Sequence, residues 1–265
     1  MRRWWASLLL LVIGSACGAG ASDRVIVAAG TTLVDSGLID AVVAEYEALH
    51  PGVEVSVVAE PTSLALELGR RGAADLLIVH AQEQEAAFVA AGYAFQSRPF
   101  AESRFVLVGP AGAGGPIEGA PVVDAFEAIA SAGLSFVSRG DGSGTHEREL
   151  NIWMAAGLDP ESEPWYLESG QGMGQTLLIA DQRAGFALSE FGAFLQSETT
   201  LSLVDFRATG DELVNRYTAY VARDGANRQG AIEVLEWLAS PEGSSVVTEV
   251  NMRLFGEIVY QPVTE

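Results

Sequence analysis

Within the stretch Ser138-Arg139-Gly140-Asp141-Gly142-Ser143-Gly144-Thr145-His146, three glycines and three hydroxyl side chains surround one arginine. Leu134-Ser135-Phe136-Val137 ahead of it reads as a short buried strand. Behind it Leu150, Trp153 and Met154 recur at helical spacing up to a stop at Gly157. Glycines let backbone N–H groups approach a ligand closely, and a helix N-terminus offers unpaired donors with partial positive charge. Arg139 adds a fixed cation with a planar fork of donors. A loop of this chemistry can hold an oxyanion. The plainer reading is a strand-to-helix turn with Ser143 or Thr145 as its N-cap, and the loop alone does not separate the two.

Nucleophilic and metal chemistry fit the same residues less well. A serine hydrolase using Ser143 and His146 would want Gly-x-Ser-x-Gly, but Asp141 stands two residues before Ser143. His146 shares the turn with Ser143, where a capping role suits it better. His146-Glu147 begins like a zinc motif, yet Leu150 occupies the place of the second histidine. His50 precedes a helix-stopping proline and His80 ends a strand, and both read as structural. Gly170-Gln171-Gly172-Met173-Gly174 lacks dinucleotide-binding spacing, and no phosphate-binding P-loop is present. Trp153 and Met154 read as helix core, and Arg70-Arg71 as a solvated helix end. No enzyme activity and no cofactor are expected.

The elements that must carry such a loop are α/β. Val25-Ile26-Val27 is the centre of an apolar strand running into Gly30-Thr31-Thr32. Ile39, Val42, Val43 and Tyr46 then form a helical stripe stopped at His50-Pro51-Gly52. Val53 to Val58 alternates as a strand, Pro61-Thr62-Ser63 opens a helix bearing Leu64, Leu66 and Leu68, and Asp75 to Val79 is a third strand. This order predicts a mostly parallel sheet with helices on its faces. A strand over Arg104–Val108 and the Ala-Gly-rich piece to Pro116 mark a crossing into a second α/β lobe. That lobe carries the Arg139 loop and the turn Ser169–Gly174. Tyr217–Val221 leads back to the first lobe, and Ser240-Pro241-Glu242 starts a last helix. Lobe 1 is thus expected to comprise residues 22–104 and 222–265, and lobe 2, with the hinge strands, residues 105–221. Ligands of open α/β sheets bind beyond the carboxyl ends of strands. Two polar turns fall in each lobe, so one cleft can present all four to a single ligand.

The composition sets limits on partners. The 265 residues include 15 Lys+Arg (all arginine) against 35 Asp+Glu, a formal net charge of −20. Neither nucleic acid nor an anionic membrane would attract such a chain, and an anion must be captured by short-range donors against the global field. The single cysteine, Cys17, excludes an intrachain disulfide. Met1-Arg2-Arg3 followed by an apolar run to Ile13 reads as a secretory signal over residues 1–21, too short to span a membrane. Gly14-Ser15-Ala16-Cys17 resembles a bacterial lipobox, although Gly14 stands where a larger aliphatic residue is usual. Cleavage after Ala19-Gly20-Ala21 is the other possible end. The lipobox is preferred, giving an exported, periplasmic or cell-envelope protein that meets the membrane only through a lipid on Cys17.

Ser138-Arg139-Gly140-Asp141-Gly142-Ser143-Gly144-Thr145-His146 with Glu149 resembles the signature of tungstate-binding periplasmic proteins, the solute receptors of ABC importers. Asp35-Ser36-Gly37-Leu38, Ala65 to Gly72, Val79-His80-Ala81, Gly170 to Gly174 and Trp237 to Gly243 agree with it, so the resemblance covers the mature chain. It implies a two-lobe type II periplasmic binding protein that acts as a monomer. The implied ligand is tungstate, with molybdate as a lesser substrate, held in the cleft for delivery to a permease. By position, the resemblance puts Thr31, Thr32, Ser63, Arg139, Ser143, Thr145 and the Gly170-Gln171-Gly172 backbone at the ligand. Departures are Thr32 in place of serine, Leu33 for a hydroxyl, Ser63-Leu64 for Gly-Gln and Phe191 for a frequent arginine. Phosphate or sulfate is the alternative ligand. Tungstate and molybdate carry no proton near neutral pH and want donors only, whereas phosphate keeps a proton and wants an acceptor. The orientation of Asp141 therefore distinguishes them: toward the ligand for phosphate, back onto the helix or an arginine for tungstate.

Overall fold

The first strand, β1 (Asp23–Gly30), is apolar on both faces, with Val25, Val27, Ala28 and Ala29 all buried. A strand of that kind needs neighbours on both edges and layers on both sides. The computed structural model describes residues 23–263, so the signal segment and Cys17 lie outside the described residues. β1 leads through a five-residue turn of helix, α1 (Thr31–Asp35), into α2 (Leu38–Leu49). The α2 stripe buries Leu38, Ile39, Val42 and Tyr46, and His50 ends the helix with its Nδ1 2.8 Å from the Tyr46 carbonyl. β2 (Val53–Glu60), α3 (Thr62–Arg70), β3 (Leu76–Val79) and α4 (Gln82–Ala90) follow. β1 pairs in parallel with β2 on one side and β3 on the other.

β4 (Ala94–Pro110) is a single strand of 17 residues that belongs to both halves of the molecule. It contains Pro99, which cannot donate to a ladder, and the register shifts between Pro99 and Ala101. The second half then builds α5 (Val122–Ser131), β5 (Phe136–Ser138), α6 (Gly144–Ala155), β6 (Tyr166–Glu168), α7 (Met173–Gln182), β7 (Ala187–Glu190), α8 (Phe191–Ser197) and β8 (Leu203–Asp205). The chain returns by β9 (Val214–Ala222) and ends in α9 (Arg228–Leu238), α10 (Pro241–Phe255) and β10 (Gln261–Pro262). α10 begins as its sequence requires: Ser240 Oγ accepts from the Gly243 N–H at 3.1 Å and Pro241 opens the helix.

The main sheet runs β10-β4-β9-β3-β1-β2, with β7 and β8 also on β4. Residues up to Arg104 of β4 pair with β9; from Phe105 onward β4 pairs with β7 and β8. The sheet is mixed rather than mostly parallel. β1–β2, β1–β3 and β5–β6 are parallel, while the pairs made by β4 and β9 are antiparallel because these strands run to and fro between the halves. β9 pairs along its whole length with β3 and the first part of β4. Residues 214–221, expected with the second lobe, are therefore hydrogen-bonded into the first sheet.

Separate apolar clusters fill the two halves, one built on Val27, Ile39, Leu76, Tyr217 and Trp237, another on Phe126, Phe136, Trp153 and Phe186. Phe191 packs against apolar clusters of both halves beneath the Arg104 guanidinium, which lies 3.8 Å above its ring.

Asp75 fastens the late chain to the early sheet. Its Oδ2 accepts from the Ile26 N–H at 2.8 Å and its Oδ1 from the Asn227 N–H at 2.7 Å, in a residue 2% exposed. Asp75→Ala leaves both donors without acceptors and should lower the unfolding free energy by about 2–4 kcal/mol, read as a shift of the urea midpoint without a change of slope.

Candidate functional site

The strand-to-helix turns at Gly30–Thr32, Pro61–Ser63 and Ser138–Thr145 meet between the two halves. Arg139 Nη2 donates to Thr31 Oγ1 across the cleft at 2.8 Å. Gln84 Nε2 donates to the Gly142 carbonyl at 3.3 Å, and the Glu83 N–H to Glu147 Oε1 at 3.2 Å. A methyl group placed on Gly142 would stand 3.1 Å from Ser63 Oγ. The halves are closed on one another.

The Arg139 loop is shaped by its glycines and fastened by its own polar groups. Gly140 and Gly142 have φ of 61° and 70°, left-handed values that a side chain would strain. Between them, Asp141 folds back. Its Oδ2 accepts from Arg139 Nε at 3.1 Å and Nη2 at 2.5 Å, and its Oδ1 accepts from the Ser143 N–H at 3.1 Å. Ser143 is the N-cap of α6, its Oγ accepting from the His146 N–H at 3.2 Å. The serine caps the helix, which leaves its hydroxyl proton free to donate. His146 Nδ1 accepts from the Gly142 N–H at 3.1 Å while Nε2 lies 3.8 Å from Glu168 Oε1. The Nδ1 lone pair is thus committed to the backbone, so it is not available as a general base for the Ser143 hydroxyl, while Nε2 is buried with no hydrogen-bond partner. Among the described residues no cluster of three or more His, Cys, Asp or Glu could hold a metal ion.

What these turns leave over is a set of donors. Arg139 is 1% exposed, and its Nη1 has no partner. The same is true of the buried hydroxyls of Thr145 and Thr62. A buried donor with no acceptor costs free energy, and a guanidinium more than a hydroxyl. Each of these three belongs to a turn at the cleft. None of the side chains that cap or brace the loop offers a carboxylate in exchange, since Asp141 is held by Arg139 and Ser143.

The residues expected at the ligand divide into three groups. Thr31 meets Arg139 across the cleft, Ser143 follows in the same loop, Ser63 stands against Gly142, and Thr145 is buried in the first turn of α6. Thr32 is different: its hydroxyl lies 3.4 Å from His80 Nε2 and 3.3 Å from Tyr217 Oη, bonded within the first half. In the Gly170-Gln171-Gly172 turn, the Gly170 N–H donates to the Arg139 carbonyl at 2.8 Å and the Gln171 N–H to Ser169 Oγ at 3.2 Å. Gly170 braces the arginine's backbone directly and Gln171 does so only through Ser169, whose Oγ donates to the Arg139 carbonyl, while Gly172 opens α7 with no side-chain cap. Thr62 is not among the residues the resemblance puts at the ligand; its place just after Pro61 in a strand-to-helix turn is the signal the sequence offers for it.

Residues 16–242 match the family model described as a PBP superfamily domain. The chain is 32% identical over 251 residues to the tungstate-binding protein TupA of Peptoclostridium acidaminophilum, covering 91% of this chain and 86% of that protein. It is 36% identical over 246 residues to a putative ABC transporter anion-binding protein of Haloferax volcanii, covering 89% of this chain and 71% of that one. Among solved structures, the tungstate ABC transporter from Geobacter sulfurreducens superposes with a TM-score of 0.77 at 31% identity, covering 85% of this chain and 98% of that chain.

Beneath the loop, Glu149 is 1% exposed and its Oε1 accepts from both Tyr166 Oη at 2.7 Å and Trp153 Nε1 at 3.1 Å. Burial outweighs these bonds and pushes its carboxyl from 4.5 up to about 7. The folded state therefore binds this proton more tightly than the unfolded chain does. Its contribution to stability is fully present below about pH 4.5 and is lost as pH rises to about 7, a change on the order of 3 kcal/mol. Urea unfolding of wild type and Glu149→Gln from pH 4 to 8 should show the wild type losing ground to the variant over that window; a constant difference would contradict the assignment.

Proposed function

The chain belongs to the TupA family of tungstate-binding proteins within the PBP superfamily, and we propose that it captures tungstate in its cleft for an ABC importer. It is a receptor and not an enzyme. The observation that carries the choice of ligand is the orientation of Asp141, which spends its carboxylate on Arg139 and the Ser143 N–H. The orphaned groups of these turns then include no carboxylate: they are Arg139 Nη1, His146 Nε2 and the hydroxyls of Thr62 and Thr145, all able to donate. An oxyanion with no proton suits them. Phosphate, which keeps a proton, would find no free carboxylate there to accept it, because Asp141 is held by Arg139 and the Ser143 N–H. Molybdate shares the charge and shape of tungstate and is the lesser substrate; sulfate is also proton-free, so it must be separated from tungstate by its smaller size.

Arg139, Thr31, Thr62, Ser143 and Thr145 are assigned to the ligand through their side chains, with Ser63 at the rim and Thr32 and Gly172 through their backbone N–H groups. Gly170 acts one step back by holding the Arg139 carbonyl, and Gln171 by holding the Ser169 hydroxyl that donates to the same carbonyl. Capture proceeds by closure: the anion bonds to one lobe and recruits the donors of the other, and its higher affinity for the closed arrangement shifts the equilibrium. We assign the chain to the cell envelope as a monomer, exported by residues 1–21 and anchored by a lipid on Cys17. No described helix is long and apolar enough to cross a membrane.

Thermal unfolding of the mature protein with tungstate, molybdate, phosphate, sulfate or citrate tests the reading. Tungstate at about 1,000 times its Kd should add about 4 kcal/mol and raise Tm plainly, with phosphate and sulfate without effect; a shift with phosphate alone would overturn the assignment. Calorimetric titration of Arg139→Ala should show a loss of about 2–5 kcal/mol in binding, because the anion's charge goes uncompensated in a dry pocket. Thr145→Val and Thr62→Val should each lose about 1–3 kcal/mol.

A further inference from the structure

His80 joins the two halves of the site without being one of the orphaned donors. It follows β3 and is 5% exposed. Its ring is stacked on Tyr217 of β9 at 4.7 Å and on Phe105 of β4 at 6.0 Å between centroids, each with planes 20° apart. These are the two strands that carry the chain between the halves. Nδ1 lies 2.9 Å from Asn215 Oδ1, so it carries the proton, and Nε2 is left to accept from the Thr32 hydroxyl at 3.4 Å.

The edge of the same ring meets the second half. A Cβ placed on Gly144 would stand 2.8 Å from His80 Cδ2, 2.8 Å from Nε2 and 2.8 Å from the His80 carbonyl oxygen. One placed on Gly30 would stand 3.3 Å from Cδ2. Gly140 and Gly142 need their positive φ, but Gly144, the first residue of α6, has no such conformation. A glycine weakens a helix relative to alanine. Gly144 is therefore explained by contact with His80 rather than by backbone geometry.

We propose that His80 is a positioning residue which makes lobe closure and the shaping of the anion pocket one event: its ring edge seats Gly144, and with it the Ser143–Thr145 turn, while its Nε2 holds the Thr31–Thr32 turn that Arg139 engages. This rests on the receptor reading above. The imidazole must be neutral to accept from Thr32. Burial first, then the Arg139 and Arg148 guanidiniums, lower its pKa to about 4, against the opposing effects of the Asn215 bond and Asp141. Tyr217, stacked on the ring, stays un-ionised because burial raises its own pKa well above 10.0.

The test uses the mature protein and whichever anion of the five above raises its Tm, with Kd from calorimetry and closure from the radius of gyration by small-angle scattering. Gly144→Ala should keep or raise the ligand-free Tm, yet weaken binding by about 100-fold and abolish compaction on adding the anion, within the span of coupling energies between sites. His80→Ala should weaken binding by about 30-fold, and His80→Gln, whose amide can serve both Asn215 and Thr32, should recover most of it. On the His80→Ala background, Gly144→Ala should cost less than it does alone, because two of its three close contacts are gone. Compaction of Gly144→Ala at wild-type affinity, or strictly additive losses, would overturn the proposal. Wild-type compaction with phosphate in place of tungstate would instead overturn the ligand assignment and leave this test intact.

Discussion

A guanidinium buried to 1% exposure is the constraint around which the rest is arranged. Removing a cation from water costs several kcal/mol unless charge and hydrogen bonds are returned to it. Asp141 returns one carboxylate, and Thr31 from the opposite half returns one hydroxyl. Asp141 can reach back over only two residues because the flanking glycines adopt left-handed conformations that turn the chain tightly. The backbone of Arg139 is held in turn by the Gly170 N–H and Ser169 Oγ. The compensation stops one donor short, at Nη1. A fully satisfied arginine would have been a structural strut; an arginine satisfied except at one nitrogen retains a claim on an anion.

The formal charge of −20 sharpens this arrangement. Long-range attraction cannot concentrate an anion near the chain, and at physiological salt a charge is screened beyond about 8 Å. Affinity must therefore reside in donors that act at contact distance inside a dry cleft, where each is worth more than in water. Closure supplies the dryness. Of the contacts that close the cleft, only the bond to Thr31 draws on the arginine; those from Gln84, Glu83 and His80 to the α6 turn leave its Nη1 free.

Local sequence and long-range pairing contributed unequally to what could be read in advance. The Arg139 loop, the Ser143 cap, the Ser240-Pro241 helix start and the strand-to-helix turns are local features, and local chemistry announces them. The sequence shows five residues of β4 and the strand has 17, because Pro99 and the polar residues before Phe105 break the apolar pattern over the part that pairs with β9, more than a hundred residues away. α4 was passed over for a similar reason: Gln82-Glu83-Gln84-Glu85-Ala86-Ala87-Phe88 has little amphipathic contrast, and only Phe88 and Glu85 are buried. The Thr32 hydroxyl could not be placed from sequence at all. Its partners, His80 and Tyr217, are 48 and 185 residues distant. The same holds for Thr62, whose role depends on a neighbouring half that its own segment does not describe.

The single strand shared by both sheets has a consequence for the order in which the chain can acquire its structure. The first half is completed by β9, α9, α10 and β10, all of which follow the second half in sequence. During vectorial synthesis the second half has every strand it needs from β4 to β8 by Asp205, whereas β3 has an unpaired edge until Val214–Ala222 emerges. The later event closes a loop of roughly 140 residues between β3 and β9. The early-made segment can pair β1 with β2 and β3 and pack α3 and α4 on them, but the edge of β3 and the apolar surface that Tyr217, Leu235 and Trp237 cover stay open until the last fifty or so residues are delivered.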